Sequence, residues 1–470
     1  MERYRFMVTA LCALVLAVLP DAVPAAEWKP DGLRNSGQVF LSLETAIEQA
    51  LEHNYDLLLA QERIEESRGS AFARLGALLP ILSGTSTYRR LKTFQGEFGG
   101  GPVTSTPRDI WDSRASLTQS VFSLSLIQQW LAGRAGVEVA DLDVEVAKRD
   151  TIATTALLYM EALRAGAAVG AGEANVKLGR ALWKLTEGKE GAGAVTRIDV
   201  IRARIQLENE RRRLLNARNE LIRAKLRLIR AMGIPDGTPI VLTGKLELWE
   251  MEEATAEETV MAAFRNRTEL QAQARRKKLA ELALSSRMSE RIPSVDVRAD
   301  YGLIGEDAGD RIGSYSVGSF LTWPLYDGQR EGRISESRSQ LRQEEIRTKN
   351  LVHQIGVEAR DAHQTNRLTR EQAVVAELGL KLALEQLRLS RKAFSIGTLT
   401  HLEVITAQLG VASARDTAIE ALFNFNAARV NLARAQGRMD KIYSGNRVLV
   451  EMPSPKGPAY RAMARSTRTR

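Results

Sequence analysis

Cysteine is nearly missing from the 470 residues: the single one, Cys12, lies in an apolar N-terminal stretch. The rest of the chain therefore has neither disulfide nor thiolate chemistry. Proline is almost as scarce, at 13 residues, and the stretches 108–234 and 325–452 contain none. Proline breaks helices, and these runs are far longer than a mean helix of about 11 to 12 residues, so each is expected to hold very long helices. Aromatic residues make up only 6% of the chain, while Ala, Leu, Arg, Glu and Gln dominate, a composition suited to long helices rather than compact domains.

Catalytic and ligand chemistry are also thinly provided. The four histidines are His53, His353, His363 and His401, and the ten-residue gap between His353 and His363 does not put two ligands on one helix face. Gly99-Gly100-Gly101 lacks the Lys-Ser/Thr of a phosphate loop, and no serine nucleophile elbow or paired-carboxylate site is recognisable. The chain is expected to be no enzyme and to carry no cofactor and no metal. Its formal charge of +9 comes from 66 basic and 57 acidic residues, which are interleaved along helices. Nucleic acid is not expected as a partner of an exported protein. Only 453–470 is of one sign, with Lys456, Arg461, Arg465, Arg468 and Arg470. The segment 440–470 reads as a basic, disordered tail.

Arg3 and Arg5 precede an uncharged apolar run over 6–19, and Val23-Pro24-Ala25-Ala26 follows. This is the pattern of a secretory signal peptide over 1–26, leaving 27–42 as an N-terminal periplasmic segment. The apolar run is too short to cross a hydrocarbon core of about 30 Å. Thr9-Ala10-Leu11 before Cys12 does not suit lipid attachment. Elsewhere no stretch of about 18 uncharged apolar residues occurs, so no membrane-spanning helix is expected.

The chain repeats itself. Residues 193–203 (Gly-Ala-Val-Thr-Arg-Ile-Asp-Val-Ile-Arg-Ala) match 397–407 (Gly-Thr-Leu-Thr-His-Leu-Glu-Val-Ile-Thr-Ala) at an offset of 204, with five of eleven positions identical. The same offset pairs Leu117-Thr118 with Leu321-Thr322. An offset of 213 pairs Leu79-Pro80 with Ile292-Pro293 and Asp56-Leu57 with Glu269-Leu270. The nine extra residues fall in a loop over 96–107. The first repeat, 43–232, reads as helix 43–77, strands 81–89 and 110–122, and helices 124–188 and 197–232. A linker over 233–255, with Pro235, Gly237, Pro239 and Gly244, leads to the second repeat, 256–439. That repeat reads as helix 256–290, strands 294–301 and 314–323, and helices 327–395 and 401–438. Apolar residues recur at helical spacing, as in Ile198, Ile201, Ile205, Leu214, Leu215, Leu221, Ile222, Leu226 and Ile229, the pattern of helices packed in coiled-coil fashion.

The strands alternate: Val295, Val297, Ala299 and Tyr301 with Asp296, Arg298 and Asp300. A transmembrane barrel needs this alternation of lipid-facing and lumen-facing residues. Tyr88, Trp111, Tyr301, Tyr315 and Trp323 are expected near strand ends, as an aromatic girdle. Four strands cannot close a barrel, and an open edge in lipid leaves backbone groups unsatisfied, so the barrel must be shared between chains. Two chains would give eight strands and a filled bore; three would give twelve and a passage. A helix of about 65 residues extends roughly 100 Å, a length suited to a tube across the periplasm.

The order of elements, the duplication, the opening Leu41-Ser42-Leu43-Glu44-Thr45-Ala46-Ile47-Glu48-Gln49-Ala50-Leu51-Glu52-His53-Asn54, Leu78-Leu79-Pro80 before the first strand, and Trp323-Pro324-Leu325-Tyr326-Asp327-Gly328 after the fourth resemble the TolC-type outer-membrane factors. The likeness runs from about Leu41 to Met439. It implies a fold that is mainly α with a four-stranded contribution to a transmembrane β-barrel, assembled as a homotrimer whose barrel in outer-membrane lipid continues into a helical periplasmic tunnel. It implies partners too: a periplasmic adaptor (membrane fusion protein) and an inner-membrane pump or ABC exporter. The family assigns adaptor docking to the tips, here Gly193, Ala194, Val195, Thr196 and Gly397, Thr398, Leu399, Thr400. It assigns a constriction to acids just beyond them, here Asp199 and Glu403, with Thr406 standing where relatives have a second acid. The same residues also read as helix caps, glycine ending one helix and Thr196 with Asp199, or Thr400 with Glu403, starting the next. Ser120-Val121-Phe122-Ser123-Leu124 departs from the family in lacking Pro and Gly where the first barrel strand pair meets its long helix. A soluble exported coiled-coil scaffold and a periplasmic adaptor are the alternatives; an adaptor would carry one helical hairpin between small β domains. Cargo is not legible.

Overall fold

The computed structural model describes residues 39–98, 101–248, 254–307 and 309–439. The expected signal peptide, most of the N-terminal segment and the basic tail lie outside them. Two helices dominate, α3 (Leu124–Gly191) and α7 (Gly328–Ser395), each of 68 residues and so about 100 Å long. Each turns at its far end into a returning helix, α4 (Arg197–Met232) or α8 (His401–Ala435). The helices leading to the sheet are pairs rather than single rods: α1 (Leu43–His53) with α2 (Tyr55–Gly76), and α5 (Ala256–Asn266) with α6 (Thr268–Ser289). The expected unbroken helices over 43–77 and 256–290 are thus each interrupted.

The interruptions have tertiary causes. Asn54 leaves the helical conformation, caps α2 by accepting from the Leu57 amide, and donates through Nδ2 to the Ala231 carbonyl at 2.7 Å. Its counterpart Arg267 makes no such cap; its guanidinium is engaged by Glu269 at 2.7 Å and Glu358 at 2.5 Å. Both joints rest on the left-handed glycines that end α4 and α8, Gly233 and Gly437.

α2 and α4 lie end to end along one flank of α3, while α6 and α8 lie along the other, with α7 beyond them. Alanines make this close packing possible: Ala132, Ala153, Ala156, Ala162 and Ala165 are buried on α3. By length and composition α3 contains one window apolar enough to cross a membrane, an amendment to the expectation above. Helices flank α3 on both sides, and 44% of that window is buried inside the chain. Along α4 the face packed within the chain carries Val200, Ala203, Leu207, Ala224 and Leu228, whereas Ile198, Ile201, Ile205, Leu215, Ile222 and Leu226 are exposed. Most of the apolar spacing read from the sequence therefore belongs to a face with no partner in the same chain.

The strands β2 (Ile81–Leu91), β5 (Arg108–Phe122), β7 (Ser294–Gly305) and β8 (Ile312–Thr322) form one antiparallel sheet in that order. Each has 11 residues or more, enough to span a bilayer as a tilted strand of about 9 to 11. The β5–β7 pairing joins the two halves of the chain. Strands β3 (Phe94–Phe98) and β4 (Gly101–Thr104) form a small hairpin that begins just before the expected loop and occupies part of it. Strands β1 (Val39–Leu41) and β6 (Ile240–Leu242) form a parallel pair tying the N-terminal segment to the linker. At the junction lacking Pro and Gly, Ser123 caps α3 with φ −152° and ψ 105°. Asp327 caps α7 with φ −152° and ψ 108°. A serine thus gives the same turn as the Pro-containing sequence.

Candidate functional site

The sheet has two chemically distinct faces. Tyr88 and Trp111 are register partners with ring centroids 4.7 Å apart, and Tyr301 is the partner of Tyr315. Trp111 also pairs with Gly305, four residues from Tyr301, so all four aromatics share one face. Leu82, Leu117, Val317 and Leu321 belong to it as well, and it is bare: Tyr315 is 79% exposed, Leu82 75% and Val317 74%. Two serines on that face satisfy each other, Ser86 Oγ lying 2.8 Å from Ser113 Oγ. Tyr88, Trp111, Tyr301 and Tyr315 each lie three or four residues from the loop end of their strands, and Trp323 stands just beyond the helix end of the sheet.

The opposite face is ionic. Arg114 donates to Asp112 at 2.7 Å and to Asp300 at 2.9 Å. It reaches Asp300 by crossing Gly302, where a Cβ would come within 2.5 Å of the arginine Cγ. Arg298 lies on the same side, its guanidinium 5.0 Å from the Phe320 ring centroid.

At the far end of the long helices, about 100 Å from the sheet, are two tips. Gly193 and Gly397 have φ of +70° and +83°. At each, two amides reach back into the ending helix: Gly193 to Glu190 and Ala194 to Lys189, both at 2.9 Å; Gly397 to Phe394 at 3.2 Å and Thr398 to Ala393 at 3.0 Å. This six-to-one and five-to-two pattern is a Schellman motif. Thr196 and Thr400 then open the returning helices through capping boxes with Asp199 and Glu403. The Thr196 hydroxyl donates to Asp199 at 2.7 Å, and the Thr400 amide and hydroxyl both donate to Glu403 at 2.8 Å. The Thr196 hydroxyl holds Asp199 below the usual carboxylate range, and the Thr400 amide does so for Glu403. Thr406, one turn on, is exposed and bonds its own helix at Leu402.

The two tips pack on each other. Val195 and Leu399 lie against a shared core of Leu182, Leu387, Phe394, Val404, Ile405 and Val411, whereas Gly193, Ala194, Thr196, Gly397, Thr398 and Thr400 remain exposed. Sequence reasoning missed the contacts between them. Lys189 donates to the Phe394 carbonyl at 2.6 Å and sits 4.0 Å from its ring centroid. His401, buried at 5% exposure, lies against Phe394 with centroids 5.6 Å apart. The one available signal was an asymmetry of the repeat: His401 corresponds to Arg197, which is exposed and paired with Glu190 at 3.2 Å. Among the described residues no group of three or more His, Cys, Asp or Glu is placed to hold a metal ion.

A family model described as "Outer membrane efflux protein" matches residues 46–234 and 260–438. No curated protein matches the chain. Among solved structures, the outer-membrane channel OprN is 19% identical with a TM-score of 0.71, the match covering 84% of this chain and 89% of that one. The Campylobacter jejuni CmeC outer membrane channel is 15% identical with a TM-score of 0.73, covering 84% and 85%. The Neisseria gonorrhoeae MtrE outer membrane channel is 17% identical with a TM-score of 0.69, covering 84% and 88%. At these identities the likeness is one of fold.

Proposed function

The chain belongs to the outer membrane efflux protein family, a family of outer-membrane channels rather than enzymes, and from that premise we propose that it is the passive exit duct of a tripartite efflux or type I secretion system. In this reading three chains share one barrel and one periplasmic tunnel. Repeat one (43–232) and repeat two (256–439) each supply two strands and one helical hairpin.

The observation that carries the reading is that the open edges of sheet and helices fall on the same two sides of the chain. β2 is one free edge of the sheet and leads from α2, on the flank that continues into α4; β8 is the other and leads into α7. β2 runs away from the helices and β8 towards them, so the edge of one copy can pair antiparallel with the edge of the next. The helical flanks match in the same way. On α4 an exposed stripe runs from Ile198 through Ile201, Ile205, Leu215 and Ile222 to Leu226. On α7 another runs back from Ile396 through Leu389, Leu382 and Val375 to Leu368. Both recur at heptad spacing, and each extends 28 positions from its tip. Apolar seams of equal height on opposite flanks suit closure into a ring of identical chains. Two chains would give a bore filled by side chains, whereas three give twelve strands and a passage.

The bare aromatic and aliphatic face then meets outer-membrane lipid, and the Arg114–Asp112–Asp300 face lines the lumen. The exposed tip residues Gly193, Ala194, Thr196, Gly397, Thr398 and Thr400, with Val195 and Leu399 behind them, serve as the surface for a periplasmic adaptor that couples the duct to an inner-membrane pump or ABC exporter. Asp199 and Glu403 serve at the constriction. The test is a disulfide. Ile205 and Leu389 both lie seven residues from the start of their stripes, on opposite flanks of one chain. The double variant Ile205→Cys, Leu389→Cys is expected to yield covalent trimers on oxidation in cells. Monomers alone would contradict the ring.

A further inference from the structure

His401 is the one histidine of the tips, and its surroundings leave no room for a second proton. It is the first residue of α8, where the helix dipole disfavours a cation. Its Nδ1 lies 3.3 Å from Thr186 Oγ1, and that hydroxyl already donates to the Leu182 carbonyl at 2.9 Å. The hydroxyl can therefore only accept from the ring, which puts the proton of the neutral imidazole on Nδ1. Nε2 is left buried and without a partner, on a ring that packs against Phe394.

We propose that His401 is an acid-sensitive latch between the two hairpin tips: protonation of its buried imidazole favours separation of the α3–α4 tip from the α7–α8 tip. A proton on Nε2 would be a buried donor without an acceptor, a penalty that the separated tip, with the ring in water, does not carry. The charged groups around it do not supply that acceptor. From α3, Lys189 already lies over Phe394 and would repel a second cation beside the same ring, while Glu190 pairs with Arg197. From α4 come Asp199, engaged by the Thr196 hydroxyl, and Arg202, which lies 3.6 Å from the Asp199 carboxylate. On α7 the flanking charges are Arg391 and Lys392, both cations; on α8 the near acid is Glu403, held by Thr400.

Burial holds the His401 imidazole below its ordinary range; Asp199 opposes this and Arg202 adds to it. The packed tip thus binds fewer protons than the separated one. Packing is at full strength above the pKa of an exposed histidine, about 6.5, and weakens as pH falls below it. Each pH unit shifts the balance up to about tenfold per chain. The local coupling is a property of one chain; its consequence, a mouth that loosens in an acidified periplasm, rests on the duct reading above.

Cys12 is the only native cysteine, and it lies within the expected signal peptide. Spin labels at Ala194→Cys and Thr398→Cys on the mature full-length protein, in assemblies diluted with unlabelled chains, therefore report tip separation within one chain. The wide-separation population is expected to rise, by up to about thirtyfold, between about pH 7.5 and about pH 5 and to stay constant when His401→Phe or His401→Gln is added. No acid response in the labelled parent, or the same response in the glutamine variant, would overturn the latch; that variant also serves if the phenylalanine variant fails to fold. Acid-driven separation without conductance in planar bilayers at any pH would support the latch and count against the duct alone.

Discussion

Gly233 lies so close to His53 that a Cβ on the glycine would stand 2.0 Å from the histidine carbonyl oxygen. The contact locks the end of α4 onto the α1–α2 joint. Gly193 has nearly the same φ, +70° against +69°, but opens onto free space. Gly193→Ala should therefore cost only the left-handed penalty of about 1 to 2 kcal/mol. Gly233→Ala must also displace backbone, and is expected to exceed that cost clearly. Urea unfolding of the two variants against the parent checks the order.

Gly302 permits the Arg114 crossing, whereas a Cβ at Gly84 would meet nothing within 4 Å. Gly302→Val should push Arg114 off Asp300 and lower the temperature at which the assembled barrel dissociates in detergent. Gly84→Val is expected to leave it nearly unchanged. Gel mobility of unheated and stepwise-heated samples reads both.

Asp199 should make the α4 cap pH-dependent. Its pKa is depressed in the fold by the Thr196 hydroxyl, so its stabilisation is complete above the unfolded value of about 3.9 and is lost as pH falls through the lower folded value. Asp199→Asn should therefore be less stable than the parent at neutral pH, by about 0.3 to 1 kcal/mol, the worth of a negative charge at a helix N-terminus. The gap should close in strong acid. Urea midpoints measured across that range would go against the cap if the gap were constant.

Gly397→Pro should abolish export while leaving trimers intact, because proline fixes φ near −65° where the tip needs +83°. Drug susceptibility or secretion in complemented cells, read beside trimer content, separates the two effects. Unchanged export would contradict the docking role of the second tip.

The limits of legibility follow from what each signal encodes. The bounds of α4, Arg197–Met232, were readable because Thr196 with Asp199 and Gly233 are local start and stop signals. The break at Asn54 was not, since asparagine is tolerated within helices and the deciding bond goes to Ala231, far along the chain. β1 and β6 have three residues each, too few for periodicity to register. The spacing of Ile198, Ile201 and Ile205 marked a packing face but not which chain supplies the partner, and the fold leaves them exposed. At the tips, the caps were legible from residue type and spacing. The Lys189–Phe394–His401 contact joins segments about 200 positions apart in the sequence and left only a single-residue asymmetry in the repeat.

Everything turns on whether the edges of one chain are closed by its copies. Native mass spectrometry of the mature protein, released intact from outer membranes in mild detergent, reads this directly. Three times the mass of one chain is the expected result, and a single-chain mass at all accessible concentrations would contradict the shared barrel.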